Sequence, residues 1–194
     1  MFSVNIDKIV GMTDNEKKCY EELRENLKKE LNGGKVLAIT KNGIGAFKIA
    51  YSFVCAGEKV LFIDADIMSE IFLGKYKLGK NLKGFTDYFQ EDEAIHDLVC
   101  KTNRKDLDII FTGETQEFDK ADILDSEFSD FRDCLVEQYN YVIVHTGDNY
   151  DIAAKCDASV ILLKQSDYSE MSAESKVDFL DSNGCFVLGL VVEE

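Results

Sequence analysis

A glycine-containing turn between two apolar strands constrains this chain more than any other feature. Residues 35–40 (KVLAIT) and 59–64 (KVLFID) are short apolar runs with the length of buried strands, and a helical pattern at 46–56 lies between them. The turn contains Gly43 and Gly45. Strand, glycine turn, helix and strand in this order are typical of a nucleotide-binding βαβ unit.

The turn lacks the side chains that bind phosphate in such units. A phosphate-binding loop uses converging backbone N–H groups, a lysine on the phosphates and a Ser or Thr hydroxyl on Mg²⁺. Here Gly43 and Gly45 are followed by Ala46 and Phe47, which cannot bind a phosphate or a metal through their side chains. The sequence therefore predicts a nucleotide-hydrolase fold that has lost its nucleotide, and no cofactor is expected.

Two lysines close to the turn leave an alternative open. Lys48 lies about one turn too late for a phosphate lysine, and we expect it to be an exposed helix residue. If Lys48 or Lys41 served a rearranged loop, the protein would be a residual ATP-binding enzyme with ATP and Mg²⁺ as cofactors.

Strands and helices alternate along the chain. Strands are predicted at 35–40, 59–64, 107–111, 140–145, 158–164 and 185–192, and helices at 14–31, 46–56, 67–74, 84–90, 91–100, 119–138 and 168–182. Several strands are almost continuous Val, Ile and Leu runs, as strands buried on both faces should be. The alternation predicts an α/β fold in three layers, with a mostly parallel central sheet and helices on both faces.

The first 31 residues are predicted to precede the α/β domain as a lead segment and a helix. Residues 1–15 are expected to be irregular, Asp14 is predicted to cap the helix, and Asn32 with the two following glycines ends it. Residues 32–194 then form a single domain, since 194 residues, 45% of them hydrophobic, suffice for one ordinary core.

Charge and hydropathy narrow the classes of partner. The formal net charge of -15 disfavours nucleic acid and direct docking on an anionic membrane, and a basic protein segment is the easier electrostatic match. No apolar run approaches the roughly 20 residues that span a bilayer, so no membrane insertion is expected. We predict a cytoplasmic protein.

Acidic and histidine side chains follow the predicted strands, where ligands bind in parallel sheets. Asp64 and Asp66 would hold Mg²⁺ water or orient a nucleophile, or else cap a helix and a turn. His145 ends the fourth strand, where a Mg²⁺-dependent hydrolase usually has an aspartate. With both acids it would form a transition-metal site, but we favour a hydrogen-bonded structural histidine.

Six short segments occur in the order and at nearly the spacing of one known family. They are EELR (21–24), VLFIDAD (60–66), NLKGFTD (81–87), LDIIFTG (107–113), YNYVIVHT (139–146) and LGLVV (188–192). Together they resemble the cytoplasmic ATPase domain of the bacterial tyrosine kinases that regulate capsular and exopolysaccharide chain length. That domain is related to the MinD/ParA group of P-loop ATPases.

The resemblance implies a P-loop ATPase fold in which the chemistry is degenerate. Asp64 and Asp66 match the acids of the family's Walker A′ motif. By contrast, Ala46 and Phe47 occupy the positions of the family's phosphate-binding lysine and Mg²⁺-binding hydroxyl residue, and His145 occupies the position of its Walker B aspartate. The stretch 40–64 is also shorter than in active relatives.

The function that follows from this resemblance is protein binding or regulation rather than phosphate transfer. The implied partner is a membrane-anchored polysaccharide-export modulator or an active paralogue, which would recruit the chain to the inner face of the membrane. Two alternatives remain: a residual ATP-binding tyrosine kinase or ATPase, and a localisation ATPase of the MinD/ParA type.

Overall fold

A single eight-stranded sheet organises the chain in the computed structural model, which describes residues 3–67, 83–91, 93–113, 123 and 125–193. The strands are β1 Ser3–Val4, β2 Val36–Lys41, β3 Val60–Asp64, β4 Cys100–Thr102, β5 Leu107–Ile110, β6 Tyr141–Gly147, β7 Ala158–Lys164 and β8 Val187–Glu193. Their order across the sheet is β1-β4-β5-β3-β6-β2-β7-β8. Among the described strands only β4 and β5 pair antiparallel.

Helices cover both faces of this sheet. They are α1 Asp14–Leu31, α2 Gly43–Cys55, α3 Phe85–Glu91, α4 Ile95–Leu98, α5 Asp125–Val136, α6 Tyr150–Ala154 and α7 Glu170–Ser182. Successive β2 side chains point to opposite faces: Leu37 packs in one cluster with Phe47 of α2, and Val36 in another with Phe131 of α5. The predicted mostly parallel α/β fold is confirmed.

Most predicted elements lie within a few residues of the observed ones, but the predicted helix at 91–100 is confirmed only at residue 91 and over Ile95–Leu98. Residues Ile95–Leu98 form a single helical turn, and Cys100–Thr102 is a strand that pairs with β5. Cys100 is buried and paired across the sheet with Ile109, so tertiary packing overrides the local helical pattern. Most of the predicted helix at 67–74 and the first residues of that at 119–138 lie outside the described residues.

The N-terminal segment contributes to the same sheet and core as the rest of the chain. Residues 1–15 are not wholly irregular, because Ser3–Val4 pairs with β4. Ile6 and Ile9 are buried in the cluster that also contains Ile39 of β2. None of the helices in the described ranges is long and apolar enough to cross a bilayer.

Thr13, not Asp14, caps helix α1. The Thr13 hydroxyl accepts the Glu16 backbone N–H at 3.2 Å, and the Glu16 carboxylate accepts the Thr13 backbone N–H at 2.7 Å. This reciprocal capping box places Asp14 one residue inside the helix, where its negative charge still favours the N-terminal end of the helix dipole.

Candidate functional site

The connection between β2 and α2 is one residue long. β2 ends at Lys41, whose φ of 77° turns the chain sharply, and α2 begins at Gly43. Between them, the Asn42 side chain accepts the Gly45 N–H at 3.3 Å and the Asn42 carbonyl accepts the Ala46 N–H at 2.9 Å. Two backbone donors at this helix start therefore bond to Asn42 itself.

The two residues at the predicted phosphate and metal positions lie in the core. Ala46 and Phe47 are completely buried, and the Phe47 ring meets the Phe62 ring edge-on at 4.9 Å between centroids. The prediction of an exposed Lys48 is wrong, since its ammonium pairs with Glu16 at 2.7 Å and its side chain is largely buried. This pairing directs Lys48 to α1 and away from the turn.

His145 and Asp64 form a buried hydrogen-bonded pair on adjacent strands. His145 Nδ1 lies 3.1 Å from Asp64 Oδ1, and Nε2 lies 3.3 Å from the carbonyl oxygen of Lys41. The carbonyl oxygen of Lys41 and an ionised Asp64 are both acceptors, so the imidazole in its neutral form can donate to only one of them.

The imidazole of His145 also lies directly against the first residue of α2. A Cβ added to Gly43 would stand 2.7 Å from His145 Cε1, closer than carbon atoms approach one another. A side chain larger than hydrogen at Gly43 would thus have to displace the buried ring. The structural histidine that the sequence favoured agrees with this geometry.

Asp66 lies close to this pair and against the end of β6. A Cβ on Gly147 would stand 2.5 Å from both Asp66 carboxylate oxygens, and Gly147 has a left-handed φ of 55°. Burial raises the pKa of Asp64, with a smaller contribution from the Asp66 charge, while the His145 hydrogen bond opposes the shift. The structure thus brings Asp64, Asp66 and His145 to one edge of the sheet.

The candidate metal ligands are not arranged around a common point. Within the described ranges no group of three or more His, Cys, Asp or Glu side chains is placed to hold a metal ion. Both ring nitrogens of His145 already have hydrogen-bond partners, so neither offers a free lone pair. The geometry gives the transition-metal hypothesis no support.

Glu193 at the end of β8 adds a carboxylate to the start of α2. It accepts hydrogen bonds from the Tyr20 hydroxyl and from the Asn42 side-chain amide. A Cβ on Gly45 would stand 2.8 Å from Glu193 Oε1. Burial and the bond to Glu193 raise the pKa of Tyr20, which keeps its hydroxyl a donor.

Sequence reasoning did not identify Glu193 as part of this site, nor Asn42 as the cap of α2. Asn42 carried a usable signal, because Asn is a preferred N-cap and stands directly before the glycine that begins the helix. Glu193 carried none, since its contact with Asn42 joins residues 151 positions apart. That contact depends on where β8 lies in the sheet.

Several buried hydroxyls at the same edge have no partner in the part of the chain that the structure describes. They belong to Thr40, Thr112 and Thr146. An unpaired buried polar group costs about 1–3 kcal/mol. These hydroxyls are the polar atoms that a small ligand at this edge would have to satisfy.

The architecture is that of bacterial tyrosine kinase domains and, more distantly, of MinD/ParA ATPases. The chimerical protein CapA2B2 superposes with a TM-score of 0.82 at 19% identity, covering 98% of this chain and 92% of that one. The kinase domain of the Escherichia coli tyrosine kinase ETK also gives 0.82 at 17% identity, covering 93% and 77%. MinD of Pyrococcus horikoshii gives 0.58 at 15% identity, covering 81% and 69%.

Sequence comparison points to one group of kinases. The chain is 26% identical over 187 residues to the tyrosine-protein kinase CpsD of Streptococcus pneumoniae serotype 4, covering 90% of this chain and 82% of that kinase. CpsD of Streptococcus agalactiae is 25% identical with the same coverage. No protein-family model matches the chain. The resemblance to bacterial tyrosine kinases predicted from the six segments is confirmed.

Proposed function

We propose that this chain is a non-catalytic relative of bacterial tyrosine kinase domains and acts by binding another protein. The observation that carries the proposal is that the chain's own side chains fill the N-terminal end of α2. The Asn42 side chain takes up the Gly45 N–H, His145 lies against Gly43, and Glu193 lies against Gly45. A helix N-terminus binds phosphate when its backbone N–H groups are free and when there is space for the anion.

ATP with Mg²⁺ does not fit the residues that are present. The two buried side chains at 46 and 47 offer neither an ammonium group nor a hydroxyl. The Glu193 carboxylate would repel a phosphate placed there, by about 1 kcal/mol per unit charge at 4 Å in water and about 4 kcal/mol near a protein surface. Asp64, the acid available for Mg²⁺ water, is bonded to His145 instead.

The net charge supports a basic protein as the partner. At -15 the chain attracts positively charged segments and is repelled by anionic surfaces. By analogy with the kinase relatives, the proposed partner is a membrane-anchored polysaccharide-export modulator or an active paralogue, met at the inner face of the membrane.

A residual nucleotide-binding enzyme is the second candidate. The unpaired buried hydroxyls of Thr40, Thr112 and Thr146 favour it, because a bound ligand would satisfy them. Neither lysine supports it: Lys41 pairs with Asp148, and Lys48 pairs with Glu16. A MinD/ParA-type localisation ATPase is supported by the fold alone.

Isothermal titration with ATP and Mg²⁺ separates these functions. We expect a dissociation constant no tighter than about 1 mM, or roughly -4 kcal/mol. Micromolar, Mg²⁺-dependent binding would contradict the proposal and favour the second candidate. The variant Glu193→Gln tests the role of the carboxylate, with Glu174→Gln on the exposed surface of α7 as its matched control.

A further inference from the structure

The two edges of the sheet differ in how well they are protected. At one edge β1 is two residues long, and short edge strands resist pairing with other chains. At the other edge β8 has seven residues and contains no Lys, Arg or Pro. Within the described ranges β8 pairs only with β7, so its outer backbone groups are available for a further strand.

Exposed apolar side chains are concentrated in the segment of the chain that leads into β8. The four large hydrophobic residues that the described part of the chain exposes all fall between positions 168 and 186: Tyr168 (44%), Met171 (82%), Phe179 (51%) and Phe186 (64%). Phe186 directly precedes β8, and α7 packs on that strand. Phe179 packs on the Tyr150 ring of α6 at 5.1 Å between centroids, whereas Phe186 lies at the start of the free edge.

The rim of the same surface is acidic. Glu174, Asp178 and Asp181 are exposed on α7, and its one lysine, Lys176, is bonded to Ser172. Pairing β8 with a second copy of this chain would bring two such acidic helices together. Charge complementarity favours a basic occupant instead.

We propose that the free edge of β8 binds an extended, apolar segment of a partner protein flanked by Lys or Arg residues. The segment adds to the sheet as a ninth strand: its backbone bonds to β8, its apolar side chains contact Met171 and Phe186, and its basic residues meet the acidic rim. This inference rests on the proposed binding function and assigns that function to a surface.

The test uses a fluorescently labelled peptide of alternating valine and threonine with lysines at both ends. We expect the full chain to bind it in anisotropy titrations and to gain amide-exchange protection across Val187–Glu193. A peptide of the same centre with glutamates at its ends should bind at least about tenfold more weakly. Equal binding of both peptides, or protection elsewhere, overturns the proposal.

Two variants locate the contact. The double change Met171→Ser, Phe186→Ser removes exposed apolar surface without touching the core and should weaken binding about tenfold. Asp178→Asn with Asp181→Asn should remove the preference for lysine, whereas Glu127→Gln with Asp130→Asn, exposed on α5, should leave it unchanged. Unaltered affinity in both test variants overturns the proposal.

The experiments distinguish failure of the proposed binding edge from failure of the proposed function. A concentration-dependent dimer that protects β8 without peptide would identify a second copy as the occupant and overturn the proposal. If the chain binds neither the peptide nor ATP, the proposal that β8 binds a partner strand is rejected, while the proposed non-catalytic function is not. Micromolar ATP binding rejects the non-catalytic function, whatever the peptide does.

Discussion

At the scale of single residues, a hydrogen bond joins His145 to Asp64 inside the sheet. Each side chain gives the other a polar partner, which is how two titratable side chains can both be almost completely buried. A lone carboxylate at the same depth would need a cation or several donors.

Replacing Asp64 tests this arrangement. In Asp64→Asn the new amide donates to Nδ1 of a neutral His145, so we expect a change of less than about 1 kcal/mol in the free energy of unfolding. Asp64→Ala leaves that nitrogen without a partner and should cost about 2 kcal/mol. Urea unfolding of both variants checks the order, and equal losses would contradict it.

The difference in stability between wild type and Asp64→Asn should change with pH in a defined direction. Because burial raises the pKa of Asp64 in the folded state, its contribution to stability is complete below the ordinary value of 3.8 and is lost as pH rises through the folded-state pKa. Asp64→Asn has no such proton to lose. Its stability relative to wild type should therefore improve as pH rises.

At the scale of elements, the β2–α2 connection determines what this edge of the sheet can bind. A nest for phosphate requires several backbone N–H groups to converge on one anion, which takes a longer loop than Asn42 alone. The proposed loss of nucleotide binding therefore rests on the backbone as well as on side chains.

Restoring the family residues should not restore an enzyme. In Ala46→Lys, Phe47→Ser, His145→Asp, the loss of buried Phe47 alone should cost about 3 kcal/mol. The third change replaces the hydrogen-bond partner of Asp64 with a second acid, and two ionised carboxylates there would repel each other. We expect a less stable protein without Mg²⁺-dependent ATP turnover. His145→Asp alone keeps the assay interpretable if the triple variant does not fold, and turnover in either would show that the loop suffices.

The same elements show what sequence could predict. β7 was predicted at its observed bounds, because a continuous Val, Ile and Leu run admits few alternatives. The start of α2 was predicted three residues late, since the Asn42 cap was not recognised. At the site, the predicted parallel sheet placed Asp64 and His145 at the carboxyl ends of its strands. The bond between them and the contact of Glu193 depend on register and packing between distant segments.

At the scale of the whole molecule, the N-terminal segment belongs to the core. Ile6 is completely buried and Ile9 nearly so, in the cluster that includes β2 and α2. We therefore expect Ile6→Ala to cost about 3 kcal/mol in urea unfolding, with exposed Lys8→Ala as the control. If residues 1–31 were a lead segment independent of the domain, both variants would unfold alike.

The strand order also sets the distance between the two edges of the sheet. β1 and β8 lie at opposite edges of eight strands spaced about 4.8 Å apart, so the two edges are separated by about 34 Å. Dyes attached to β1 and to β8 would therefore stand within the working range of resonance energy transfer in the folded state. The transfer efficiency would report on the breadth of the whole sheet, because every strand lies between the two labels.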